Sequence, residues 1–232
     1  DNGNPEPIIL SYWHSGHYFG NSTPFAAGEA WHKVIGPIFV YANSLDKPVP
    51  TTAAELATLK ATEGNPTVPA SWTANATALW NDALAQVKKE KAKWPYAWVS
   101  DPGYTKAADR ATVTGRIVLD DKMAPRGAST RLPNLIVGLF DSRAGVPTAA
   151  PVAGRPAQPV NADSWMRDAK YYQFFERGSA DGKFTLSKVR PGNYTLVANA
   201  DGVLGEFQQA NITVEPGKTL NLGDLKWTPV RN

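Results

Sequence analysis

The amino-acid sequence predicts a mainly β protein with a self-contained sandwich in its second half, and three observations carry that prediction. Between Asp181 and Asp201, Phe184 and Leu186, then Tyr194, Leu196 and Ala198, alternate with polar residues. This is the period-two pattern of strands with one buried face. Turn formers punctuate these runs at Arg190-Pro191-Gly192-Asn193 and Glu215-Pro216-Gly217-Lys218, where Pro presets φ and Gly supplies positive φ. Pro and Gly each number 19 in 232 residues, a content that suits many turns and short strands.

The elements follow in chain order. Residues 1–10 are polar and Pro-rich, ending on Ile8-Ile9-Leu10, and Ser11–Gly20 gathers His14, His17 and four aromatics beside two glycines. Trp31–Asn43 is β-branched and aromatic but interrupted at Gly36-Pro37, as expected for an edge strand or bulge because Pro cannot donate to a ladder. Ala53–Thr62 has helical propensity. A longer helix is expected from a Ser71 or Thr73 cap to about Lys93, with Leu79, Trp80, Ala83, Leu84, Val87 and Trp94 as its apolar stripe. Lys88–Lys91 reads as its solvated face, and Pro95 ends it. Strands are then expected at Val113–Leu119 and Leu135–Phe140, followed by two hairpins: one around the Arg190–Asn193 turn, one from Ala210–Val214 through Glu215–Lys218 to Leu225. That makes six or seven strands, the complement of a small sandwich. Pro147–Asn161, rich in Pro and Ala, is expected as a long surface excursion.

Composition removes several function classes. With no cysteine there is no disulfide, thiolate metal site or cysteine nucleophile. A net charge of +3 without a Lys/Arg stripe argues against nucleic acid, and no apolar run is long enough for a membrane span. Neither a metal-ligand cluster, a Ser-His-Asp pattern nor a phosphate-binding Gly loop occurs at diagnostic spacing, so no cofactor is expected. Asn21, Asn75, Asn193 and Asn211 head N-x-S/T sequons, which carry meaning only in a secreted eukaryotic chain. Eight Trp are a marked excess. Trp stacks on sugar rings, although any single Trp is more often core. Within the sandwich, Asp181-Gly182 and Arg190 read as turn residues rather than as a site.

One ordered set of motifs carries a family resemblance: H-Y-F-G from His17, G-E-A-W-H-K-V-I-G-P-I-F-V-Y-A-N-S from Gly28, L-W-N-D-A-L-A-Q-V from Leu79 and W-P-Y from Trp94. It continues with V-T-G-R-I from Val113, Y-Q-F-F from Tyr172, V-R-P-G-N-Y-T-L from Val189, G-V-L-G-E-F from Gly202 and L-G-D-L-K-W from Leu222. From about Tyr12 to Trp227 the chain resembles the rhamnogalacturonan lyases of polysaccharide lyase family 4. The resemblance implies that residues 1–108 are the C-terminal part of a catalytic β-super-sandwich, galactose-mutarotase-like, with a helical excursion. It implies that residues 109–232 are a fibronectin-III-like, carbohydrate-binding-like β-sandwich, the middle domain of such an enzyme. The rest of the catalytic sandwich and a third, jelly-roll domain have no counterpart here.

The activity so implied is cleavage of the rhamnogalacturonan I backbone of pectin by β-elimination at galacturonate. A base takes the C5 proton, a fixed cation stabilises the charge that builds on the carboxylate, and the 4-O bond breaks. The resemblance implies a catalytic His, which corresponds to His17 with His14 its competitor, whereas a strand histidine with no such context usually only satisfies local hydrogen bonds. Tyr18 and Lys33 join His14 as candidate substrate-binding residues, and His32 has the weakest claim of the three histidines. The expected partners are an acidic plant cell-wall polysaccharide and the remainder of the same enzyme, and the expected location is extracellular. The alternative is a non-catalytic carbohydrate-binding or spacer module.

Overall fold

The computed structural model describes residues 25, 27–61, 68–125, 129–144 and 170–230. Seven strands fall in the second half: β1 Ala111–Leu119, β2 Ile136–Asp141, β3 Gln173–Arg177, β4 Lys183–Val189, β5 Gly192–Asn199, β6 Phe207–Val214 and β7 Thr219–Trp227. They form two sheets, ordered β4-β1-β7 and β3-β2-β5-β6. All neighbours are antiparallel except β1 and β7, which run parallel. The mainly-β reading is borne out.

The alternation of β4, Phe184 and Leu186 buried between exposed Lys183, Thr185 and Ser187, points one face into the core as expected. From the other sheet, Val137 and Leu139 of β2 stand in register with Ala198 and Leu196 of β5. Together with Val113, Ile117, Leu225 and Trp227 these make one continuous apolar core. The sheet β3-β2-β5-β6 is covered on its outer face as well, where Phe140, Ala144 and Val197 form a second small cluster with Tyr171 packed on it.

Two expected hairpins are corrected. β4 and β5 lie in different sheets, as do β6 and β7, so Arg190–Asn193 and Glu215–Lys218 are crossovers between layers. Alternation fixes which face of a strand is buried but says nothing of its neighbour. Val189 and Tyr194 are both core residues, and the segment between them carries the chain across the sheet spacing of about 10 Å. Lys188, at φ 58, supplies the bend. The Tyr194 hydroxyl ties the crossover by donating to the Arg190 carbonyl at 2.9 Å.

Residues 35–99 make a second compact unit. Its helix α1, Ala53–Ala61, starts with a reciprocal cap. The Thr52 N–H donates to Glu55 Oε2 at 2.8 Å and the Glu55 N–H donates to Thr52 Oγ1 at 3.2 Å. Glu55 also accepts from the Ser71 N–H and hydroxyl. These amide and hydroxyl donors, Thr52 first, lower the Glu55 carboxyl pKa.

Helix α2, Ala70–Lys93, has Pro69 at its N-cap rather than the expected Ser71 or Thr73, because Ser71 is already engaged with Glu55 and Thr51. The helix stops at Lys93, with Trp94 extended before Pro95. Its less exposed row runs through Asn75, Leu79, Ala83, Gln86 and Glu90, while Trp80, Leu84 and Val87 of the expected stripe stand in solvent. Polar straps hold that row. Asn75 exchanges two hydrogen bonds with the Val49 backbone, and Tyr41 and Asn43 both donate to Asp82.

No strand forms in Trp31–Asn43. In place of a ladder, the Val34 N–H donates to the Tyr172 hydroxyl at 3.1 Å, and that hydroxyl donates to the Val34 carbonyl at 3.2 Å. Among the described residues, no helix is long and apolar enough to cross a membrane.

Candidate functional site

His14, His17 and Tyr18 lie outside the described residues. Lys33 is described. Its ammonium donates to the Tyr171 carbonyl at 2.9 Å and stands 4.9 Å from the centroid of the Tyr172 ring. No group of three or more His, Asp or Glu able to hold a metal occurs among the described residues.

The structure draws attention to a polar cleft of about 300 Å³ on the sandwich unit, outside the small Phe140–Val197 cluster. Three stretches of the sandwich build it: the end of β2 with Asp141 and Arg143, the approach to β3 with Lys170, Tyr171 and Tyr172, and the β4–β5 crossover with Arg190 and Pro191. Glu29, Trp31 and His32 lie across them. The Trp31 indole N–H donates to the Lys170 carbonyl at 3.2 Å, fastening that segment down.

Three cations line the cleft, each with different partners. Arg143 grips both oxygens of Asp141 at 2.8 Å, a two-pronged pairing that raises the guanidinium pKa, and lies 4.6 Å from the Tyr171 centroid. Lys170, with its side chain 1% exposed, pairs with Glu29. Burying an ammonium is tolerable only with such a counter-charge. Arg190 lies over the Tyr172 ring, 4.0 Å from the centroid, and donates one N–H to the Gly103 carbonyl at 3.0 Å. Among the described residues no carboxylate pairs with it.

Behind it, Arg110 donates to the carbonyls of Thr105 and Lys188, and its pKa is lowered first by burial and then by the charge of Arg190. Tyr194, at the cleft floor, has its pKa pushed up to about 12 by burial, with Asp141 adding to the effect. His32 is mostly exposed and 3.6 Å from Asp101, an ion pair when protonated.

Arg190 was expected only to serve its turn, and Arg143, Lys170 and Glu29 carried no expectation. The motifs from Gly28, Tyr172 and Val189 contain cleft residues, but none of them pointed to a site here. Asp181 keeps the turn role expected of it: Ser179 and then Lys183 hydrogen-bond its carboxylate and lower its pKa to about 2.

The seven strands thus make a two-layer β-sandwich that carries a polar cleft. Residues 141–222 match the family described as polysaccharide lyase family 4, domain II, the similarity that the motifs lead one to expect. A rhamnogalacturonate lyase of Dickeya dadantii is 28% identical over 223 residues, covering 95% of this chain and 27% of its own length. A protein of Aspergillus fumigatus named "Probable rhamnogalacturonate lyase B" is 29% identical over 127 residues, 54% of this chain and 15% of its own. The chain thus spans about a quarter or less of these relatives. Among solved structures, a minor pilin of Streptococcus agalactiae aligns over 54% of this chain and 47% of its own, at 15% identity and a TM-score of 0.31.

Proposed function

We propose that this chain is a piece of a rhamnogalacturonan endolyase, comprising the end of its catalytic sandwich (residues 1–108) and its middle domain (residues 109–232). The enzyme cuts the rhamnogalacturonan I backbone by β-elimination outside the cell. The observation that carries this reading is the collinear similarity to a rhamnogalacturonate lyase over 95% of the chain, with a domain II match inside it. In this reading His17 handles the C5 proton, a step that needs a base within hydrogen-bond reach of the carbon acid. His14, Tyr18 and Lys33 orient the saccharide. The positive charge of Lys33, already fixed by the Tyr171 carbonyl, favours a galacturonate carboxylate nearby.

A second reading, a non-catalytic spacer or carbohydrate-binding module, is favoured by the family match falling on domain II alone. Ultraviolet absorbance of the conjugated C4–C5 double bond separates the two, with rhamnogalacturonan I as substrate and the enzyme carrying this chain as catalyst. His17→Ala is expected to lower kcat by at least about 100-fold, with the melting temperature unchanged, and His14→Ala to act mainly on KM. A His17→Ala variant with near-normal kcat removes His17 from the chemistry. Absence of any product from the intact protein leaves the module reading.

A further inference from the structure

We propose that the cleft on the sandwich unit is a uronate subsite, in which Arg190 receives the carboxylate of a galacturonate unit of the polysaccharide. This rests on the reading above for the identity of the saccharide, and on the cleft itself for the anion.

The charge inventory of the cleft decides the sign. Among the described residues that line it, the cations are Arg143, Lys170 and Arg190, and the carboxylates are Glu29 and Asp141. Asp141 is gripped by Arg143 and Glu29 by Lys170, so among these residues the charge of Arg190 is in excess, and the Lys33 ammonium over the same Tyr172 ring adds to it. A guanidinium carries five N–H donors. The Gly103 carbonyl takes one of those on Arg190, and the fork suits a carboxylate, the anion of a sugar acid. Arg190 is also pre-placed. Its stack on Tyr172 and its bond to Gly103 hold the plane, and Tyr172 is held in turn by both backbone groups of Val34. A side chain so ordered before binding loses little rotamer freedom on meeting its ligand. Arg110 is near enough for the two charges to act on each other. At about 300 Å³ the cleft is at the small end for a ligand site, suited to one sugar ring, with Trp31 and the two tyrosines as apolar wall.

The subsite is built from the sandwich together with residues 29–32, and it holds saccharide without taking part in the proton transfer. It predicts that binding outlasts loss of elimination.

The test is calorimetric titration of the 232-residue protein with galacturonate-containing rhamnogalacturonan oligosaccharide. A neutral galactose oligomer and inorganic phosphate serve as the two control ligands. Binding is expected to be saturable, to weaken as salt is raised, and to fall about tenfold or more in Arg190→Gln, the loss expected for one charge-assisted contact. Lys122→Gln, a charge change at the exposed Asp120–Lys122 pair, is expected to bind as the unaltered protein does. Should Arg190→Gln fail to fold, amide shifts of the unaltered protein are read instead. They are expected to move at Tyr172 and Gly192 and to leave α2 still. Equal binding of the galactose oligomer, phosphate binding as tight as the saccharide, unaltered affinity in Arg190→Gln, or shifts confined to α2 would each overturn the proposal. Because binding is read without chemistry, the two readings fail separately: binding by the 232-residue protein with no unsaturated product from the enzyme carrying this chain sinks the lyase reading alone, and product from that enzyme with no binding here sinks the subsite alone.

Discussion

Tyr194 joins core and cleft in one side chain. Its ring is buried at 3% exposure while its hydroxyl closes the β4–β5 crossover on the Arg190 carbonyl. Its pKa, pushed up from 10.0 to about 12, makes an alkaline prediction whose sign follows from linkage. Below pH 10 the phenol is neutral folded and unfolded. Above it the unfolded phenol ionises first, so stability falls with rising pH until the folded phenol ionises near 12. The loss over that window is roughly 2 to 3 kcal/mol. Tyr194→Phe is expected to cost about 1 kcal/mol at neutral pH for the missing hydrogen bond and to flatten the alkaline decline. Urea unfolding at both ends of the window checks this, and an equally steep decline in the variant would contradict it.

At the scale of elements, the corners constrain the sheets more tightly than the strands do. Gly182, between β3 and β4, has φ 91, and a Cβ there would overlap the Ile117 carbonyl oxygen. The close approach has a purpose, since the Gly182 carbonyl accepts from the Ile117 N–H at 2.9 Å and starts the β1–β4 ladder. Gly182→Ala is expected to destabilise the sandwich by about 2 to 3 kcal/mol. A shift below about 0.5 kcal/mol in denaturant unfolding would mean the corner relaxes freely. Gly138 tells a similar story on β2, where the register partner Phe175 lies over the bare backbone and replaces the missing side chain.

These corners also mark the limit of what the sequence made legible. Phe184, Leu186, Tyr194 and Leu196 announced their strands by alternation, and Thr219–Trp227 by its leucines. The pairing of β1 with β7 was not legible, because a parallel neighbour more than 100 residues away leaves no local signature. The cleft was illegible for the same reason. Residues 29–32, Asp141 and Arg143, residues 170–172 and Arg190 each have an ordinary local reading, and only the crossover and the approach to β3 bring them together. The helical stripe misled in the other direction. Trp80, Leu84 and Val87 keep helical spacing, yet the row held against the unit is the one carrying Asn75 and Glu90, which supply the hydrogen bonds.

Over the whole molecule, apolar surface is unevenly distributed. Trp227 is buried in the sandwich core, while Trp72, Trp80 and Trp98 of the 35–99 unit are exposed, with Ile38, Phe39 and Val40 of the same unit. The expectation that a given Trp is core therefore fails in that unit and holds in the sandwich. Such exposure accords with the proposal that residues 1–108 are part of a larger sheet, and with relatives about four times as long. The central claim, elimination rather than hydrolysis, is tested most directly by mass spectrometry of the cut ends. The enzyme carrying this chain is incubated with rhamnogalacturonan I, and the new non-reducing terminus is weighed. The account predicts an unsaturated galacturonate, one water lighter than the hydrolytic product, and its loss in His17→Ala. A saturated galacturonate at that end, or the same unsaturated product from the variant, would contradict it.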